Sequence, residues 1–108
     1  MIFAFSRDVV ATIARLEPLT PTTWLVDELP ASDAARKKVL RDALRARVCA
    51  LGLSLTNVDP HFLRTAHECG LPIFVWTANE VEEMRFLIDV GVDGIITDVP
   101  DVLLELLD

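Results

Sequence analysis

GLPIFVWTANEVEEMRFLIDVGVDGIITDVP, residues 70–100, runs through two successive strand-then-helix units. Leu71 to Trp76 is a short apolar run with β-branched and aromatic residues, the pattern of a buried parallel strand. Thr77-Ala78-Asn79 turns the chain, and Asn79 with Glu82 three residues later reads as a helix N-cap with its reciprocal glutamate. Val81, Met84, Leu87 and Ile88 then share one helical face, leaving Glu80, Glu83 and Arg85 for water. Gly91 ends the helix where a left-handed residue is wanted. Val92 to Thr97 is a second apolar strand, and Asp98 and Pro100 open a further helix.

The same alternation extends back to the N-terminus. Ile2 to Phe5 reads as a strand, and Ser6 caps a helix with Val9, Val10, Ile13 and Leu16 as its buried stripe. Pro18 and Pro21 end that helix, and Thr22 to Val26 is β-branched and aromatic as a pleated strand prefers. Ser32 caps a longer helix with Val39, Leu40, Ala43 and Leu44 inward. Val48 to Leu55 is a third strand, in which Gly52 marks a close backbone approach or a bulge. Asp59 caps the next helix, Pro60 occupies its first turn, and Phe62, Leu63, Ala66 and Cys69 face the core before Gly70. Five strands and five helices in strict alternation, with no hairpin signal, argue for an α/β fold with a parallel sheet and right-handed crossovers.

The 108 residues suffice for one domain. They are 52% hydrophobic with a mean hydropathy of +0.40, more than a small core hides, so part of the excess points to an interface. Every long apolar run is broken by a charge or a proline, which argues against a membrane span. A net charge of −7 argues against a nucleic-acid partner. The basic residues Arg36, Lys37, Lys38, Arg41, Arg45 and Arg47 fall at helical spacing and read as a solvated face. Cys49 and Cys69 have no metal-like spacing and read as buried free thiols in a reducing compartment. With no basic leader and no long apolar segment at its start, the chain is expected to be cytoplasmic.

Val75-Trp76-Thr77-Ala78-Asn79, then Glu83 and Leu87, then Gly91-Val92-Asp93-Gly94-Ile95-Ile96-Thr97-Asp98-Val99-Pro100 resembles the closing segment of the glycerophosphodiester phosphodiesterase family. Ala4-Phe5-Ser6 stands where such enzymes carry a strand ending in Ser-Phe followed by Asp or Asn, with Ala4 in place of the usual Ser. Ala66-His67 ahead of Gly70 is similar to the family's Ala-His helix. The resemblance covers nearly the whole chain. It implies the C-terminal portion, over residues 1–108, of a TIM (β/α)8 barrel that needs about 250 residues. Five parallel βα units make a partial barrel, strands four to eight, with strands one to three missing. The family hydrolyses glycerophosphodiesters to an alcohol and glycerol 3-phosphate, a step of lipid metabolism, with a divalent cation (Mg or Ca). Its His-Arg-Gly and Glu-x-Asp motifs and its second histidine belong to the missing strands, so no catalytic residue and no metal ligand is expected here.

The residues agree with that expectation. Metal-assisted hydrolysis needs a carboxylate cluster with an acid and a base. His61 and His67 lie six residues apart on one helix, about 240° round its axis, and cannot share a ligand. Asp27 and Asp98 stand at strand ends, but they are two carboxylates on non-adjacent strands, and Asp98 reads equally as a helix cap. Alternation places Phe74 and Trp76 on one face of their strand, and Ile73 and Val75 on the other. The resemblance turns the Trp76 face into the barrel mouth, where Trp76, and Phe5 with it, would wall the pocket for a small-molecule glycerophosphodiester. The other reading of Trp76 is an ordinary core tryptophan. Asn79 reads as a cap or a ligand, and Thr97 as a ligand or packing. The alternative function is a non-catalytic partial barrel, acting as a homodimer or completed by a separate N-terminal half.

Overall fold

The computed structural model describes residues 1–107 and has the expected α/β alternation. Strand β1 (Ile2–Ala4) is followed by helix α1 (Arg7–Leu16), β2 (Thr22–Val26) and α2 (Asp33–Arg45). Next come β3 (Ala50–Ser54), a 3-10 turn at Leu55–Asn57, α3 (Pro60–Glu68) and β4 (Ile73–Trp76). Helix α4 (Val81–Val90), β5 (Gly94–Ile95) and α5 (Pro100–Leu107) complete it. All five strands pair in parallel, in the order β1-β2-β3-β4-β5, so β1 and β5 stand at the two ends of the sheet.

Sequential order with right-handed crossovers puts the helices on one side of a sheet. The burial follows: Val26, Leu51, Leu53, Ile73 and Val75 share the helix-facing parity and are buried. They pack with Val10, Leu40, Phe62, Ala66, Met84 and Leu87 from the helices. On the other parity Phe74 and Trp76 are half-buried, while Phe3 and Phe5 are exposed. The molecule is a slab of 38 × 31 × 21 Å with a Cα radius of gyration of 13.9 Å, against about 13 Å for a closed domain of this length. Its accessible surface, 6556 Å², exceeds the roughly 6000 Å² of a folded 12.0 kDa monomer.

Local chemistry sets most helix ends as expected. Ser6 Oγ accepts from Val9 N–H, Ser32 Oγ from Ala35 N–H, and Asp59 Oδ1 from His61 N–H, each satisfying an orphan donor of the first turn. Gly91 (φ 86°) closes α4 in the left-handed conformation. The start of α4 differs. Glu80, not Asn79, is the N-cap, and Glu83 Oε1 rather than Glu82 accepts from the N–H groups of Glu80 and Asn79. The motif slides by one residue because the Asn79 side chain is engaged elsewhere.

Several inward expectations fail. Val9, Leu16 and Leu44 are exposed, and Val81 and Ile88 are more than a third exposed. Val9 and Leu16 lie on α1, at an end of the sheet with a neighbouring helix on one side only. Among the described residues, ten of the fourteen exposed large hydrophobic side chains belong to the end units, residues 1–19 and 94–107. Cys49 and Cys69 are also exposed. Cys69 would continue the Phe62–Ala66 stripe, but the chain reverses at Gly70 (φ 79°) and Leu71 takes the buried place. The third and fifth strands are shorter than the apolar runs suggest, although hydrogen bonds from Asp93 N to Ile73 O and Ile96 N to Val75 O prolong the β4–β5 pairing.

The basic face of α2 is solvated as expected, except that Arg36 turns inward to pair with Asp59 and donates to Pro30 O. The His61 N–H, and then the Arg36 guanidinium, hold the Asp59 carboxyl below its ordinary value of 3.8, against the opposing effect of burial. A lowered carboxyl pKa contributes stability that is present above the unfolded value and lost as pH falls through the folded one. Asp59→Ala should therefore cost about 1 kcal/mol in urea melts at neutral pH. The gap from the native chain should narrow only as pH drops below 3.8.

Candidate functional site

The C-terminal ends of the strands and the loops that leave them form the candidate site. Phe5 directly follows β1, and Trp76 ends β4, three strands away. Their rings nevertheless meet edge to face, with centroids 5.8 Å apart and planes at 90°. Three strand spacings amount to about 14 Å, so both side chains lean inward over β2 and β3. One layer lower, Phe3 and Phe74 approach in the same way, at 6.5 Å and 54°. Such tilted pairs contribute about 0.5–1.5 kcal/mol beyond simple burial.

Glycines make the room. Gly52 stands opposite Leu25 and Phe74 in the strand register, and a Cβ there would lie 2.5 Å from Leu25 Cδ2 and 3.3 Å from Trp76 Cζ3. Gly94 faces Phe74 across the β4–β5 pair, and its Cβ would lie 2.6 Å from Phe74 Cδ1. Gly52 is thus a close approach, as its place in a strand suggests.

The loops above the sheet are tied strand to strand. Trp24 Nε1 donates to Phe5 O at 3.0 Å, joining the β1 and β2 ends. Asn57 Nδ2 donates to Asp27 O at 2.6 Å, joining β2 and β3. Asn79 joins β4 and β5: its Oδ1 accepts from Thr97 Oγ1 and Asp98 N–H, and its Nδ2 donates to Asp98 Oδ2 at 3.0 Å. Asp98 is therefore not the cap of α5; Thr97 Oγ1 accepts from Val99 N–H there. Thr97 is a bonding partner, not packing.

The histidines lie elsewhere. His61 is exposed beside Arg36 and Lys37 in a groove between α2 and α3. His67 Nε2 sits 2.6 Å from Asp93 Oδ2, which also accepts from Ile73 N–H at the N-terminal end of β4, away from Trp76. Asp93 escaped the reading of the sequence, where it stood as one residue of the Gly-Val-Asp-Gly run. Among the described residues no three His, Cys, Asp or Glu side chains gather to hold a metal ion. Asp27 and Asp98 project from β2 and β5, which are not neighbours, and Asp98 is bonded to Asn79. This donor set does not fit a divalent cation.

Residues 1–102 match the model of the glycerophosphoryl diester phosphodiesterase family. The chain belongs to that family. A glycerophosphodiester phosphodiesterase of Caldanaerobacter subterraneus subsp. tengcongensis is 38% identical over 64 residues, 59% of this chain and 26% of that protein. One from Bacillus subtilis is 29% identical over 104 residues, 94% of this chain and 34% of its own length. The chain thus spans a quarter to a third of these relatives. Among solved structures, an Oleispira antarctica phosphodiesterase in complex with the product sn-glycerol-3-phosphate superposes with a TM-score of 0.83 at 16% identity, covering 98% of this chain and 40% of that one. A glycerophosphodiester phosphodiesterase from Parabacteroides distasonis gives 0.78 at 23% identity, with coverage of 97% and 41%. Both show a shared fold.

The seat of Phe74 yields a test. Gly94→Ala should force the ring off its place and cost about 1–3 kcal/mol in urea denaturation. A variant as stable as the native chain would mean that the ring moves freely.

Proposed function

We propose that residues 1–108 are the C-terminal portion of a glycerophosphodiester phosphodiesterase domain, five βα units of a partial (β/α)8 barrel. In this reading Trp76 and Phe5 wall the pocket for the glycerol part of the substrate. The reaction adds water across a phosphodiester, releasing an alcohol and glycerol 3-phosphate. The aromatic wall contributes binding and exclusion of water. The divalent cation, with its carboxylate ligands and the catalytic histidines, belongs to the three units this chain lacks. The carrying observation is the Phe5–Trp76 pair at the strand ends of a family member, with the Trp76 ring over Gly52. Two free thiols suit a reducing, cytoplasmic setting.

The unpartnered surface supports completion by a piece of three further units. The sheet ends at two strands whose outer edges would offer backbone N–H and C=O groups to added strands. The exposed apolar side chains concentrate beside those edges, on α1 and α5 as well as on β1. Eight strands enclose an interior that side chains just fill, whereas two copies of this chain would bring ten. The surface in excess of a closed monomer is roughly 600 Å². If half of it is apolar, leaving it wet costs about 7 kcal/mol, comparable with the whole stability of a small domain. The second reading, a non-catalytic partial barrel acting through association, rests on the same exposed edges.

Purified alone, the chain should not hydrolyse glycerophosphocholine with magnesium or calcium, because a pocket wall does not supply the roughly 8 kcal/mol or more of barrier lowering that catalysis requires. Mixed with a separately produced piece carrying the His-Arg-Gly and Glu-x-Asp motifs, it should give EDTA-sensitive turnover, reduced by Trp76→Ala. Complex formation without turnover would favour the second reading. Sedimentation equilibrium at micromolar concentration should find the isolated chain dimeric or larger. A stable monomer that binds no hydrophobic dye would contradict the open face.

A further inference from the structure

We propose that Asn79 is a positioning residue for Trp76, acting through a side-chain clasp to Thr97 and Asp98. The proposal rests on the reading of Trp76 as a pocket wall and adds the device that sets it.

Strand β5 is only two residues long, so little regular pairing holds the mouth end of β4 against it. Two backbone bonds continue the contact, from Ile96 N–H to Val75 O at 2.8 Å and from Ala78 N–H to Ile96 O at 3.1 Å. Trp76 and Thr77 are the span between those anchors. Beyond the second anchor the backbone turns into α4, and there the Asn79 carboxamide takes over. Its oxygen uses both acceptor positions, on Thr97 Oγ1 (3.1 Å) and Asp98 N–H (2.9 Å), while its nitrogen donates to the Asp98 carboxylate (3.0 Å). A planar head with acceptor and donor side by side is what this geometry requires. An aspartate would keep the two accepted bonds and set a second carboxylate against Asp98.

The clasp bears on Trp76 because it adds side-chain bonds to the two backbone bonds by which the β5 side brackets that span. The indole ring itself rests on Phe5 and over Gly52, contacts that position the ring but not the backbone beneath it. A helix cap in place of this clasp would have left the two loops joined through backbone bonds alone. Glu80 and Glu83 cap α4 instead, which frees the Asn79 side chain for the cross-loop bonds.

The test uses the ¹⁵N-labelled full chain and the indole N–H resonances of Trp24 and Trp76, assigned with Trp76→Phe. Asn79→Asp should shift the Trp76 resonance and leave that of Trp24 in place. The exchange Asn79→Asp with Asp98→Asn reverses the donor and acceptor at equal net charge, and should return the Trp76 resonance towards its native position. An unmoved Trp76 resonance in Asn79→Asp, or equal displacement in the exchanged pair, would overturn the proposal. Should Asn79→Asp not fold, Thr97→Val removes the donor to Asn79, together with the acceptor of Val99 N–H, without altering charge, and must shift the Trp76 resonance; no shift there would also overturn it. None of these readouts needs turnover. Failure of the complementation assay with a working clasp would therefore count against the proposed function alone.

Discussion

A parallel sheet has to be covered on both faces, and this one carries its helices on a single side. The right-handed crossover forces that arrangement once the strands follow one another in order. The helix-facing residues of the three central strands, Leu51, Leu53, Ile73, Val75 and Val26, are consequently buried as deeply as in any closed domain. The opposite face has only its own side chains for cover. Phe74 lies on Gly94, and Trp76 leans over Gly52 to meet Phe5, so the aromatic residues fold down over the glycines of neighbouring strands. The cover thins toward the edges, where Phe3 and Phe5 remain exposed.

The same asymmetry explains where the polar chemistry sits. Strand ends on the C-terminal side release loops joined by Trp24, Asn57 and Asn79, each a side chain donating or accepting across to the next loop. These bonds rest on the sheet register, which sets how far apart the loops emerge. Arg36 and Asp59 add a further tie between the α2 and α3 starts. At the opposite end, His67 and Asp93 hold the end of α3 and the beginnings of β4 and β5 together. His67 thus lies at the opposite end of β4 from Trp76.

The element order was legible because its signals are local. Ser6, Ser32 and Asp59 stop and start the chain by bonding to N–H groups two or three residues away, and Gly91 by adopting a conformation others avoid. Strand parity was equally local, so Phe74 and Trp76 fell on one face and Ile73 and Val75 on the other. The errors are of a different kind. Val9, Leu16 and Leu44 have the spacing of buried residues and are exposed, and for Val9 and Leu16 the reason is that α1 stands at an end of the sheet. Cys69 fits its stripe until the left-handed Gly70 redirects the chain. Asn79 and Glu82 satisfy a capping pattern that Glu80 and Glu83 satisfy as well, and the choice between them was made by Thr97 and Asp98, eighteen and nineteen residues away.

The sequence by itself determined the alternation of strand and helix, the two faces of β4, the caps of α1, α2 and α3, and the family. Its Trp-Thr-Ala-Asn and Gly-Val-Asp-Gly runs carry that family in residues that are adjacent in the chain. Only the tertiary structure decided which side chains converge at the strand ends. Phe5 and Trp76 meet across two intervening strands, and Asn79 finds Asp98 across a crossover. Such contacts depend on register and on the direction each side chain leans, which are properties of the assembled sheet and have no signature at any single position along the chain.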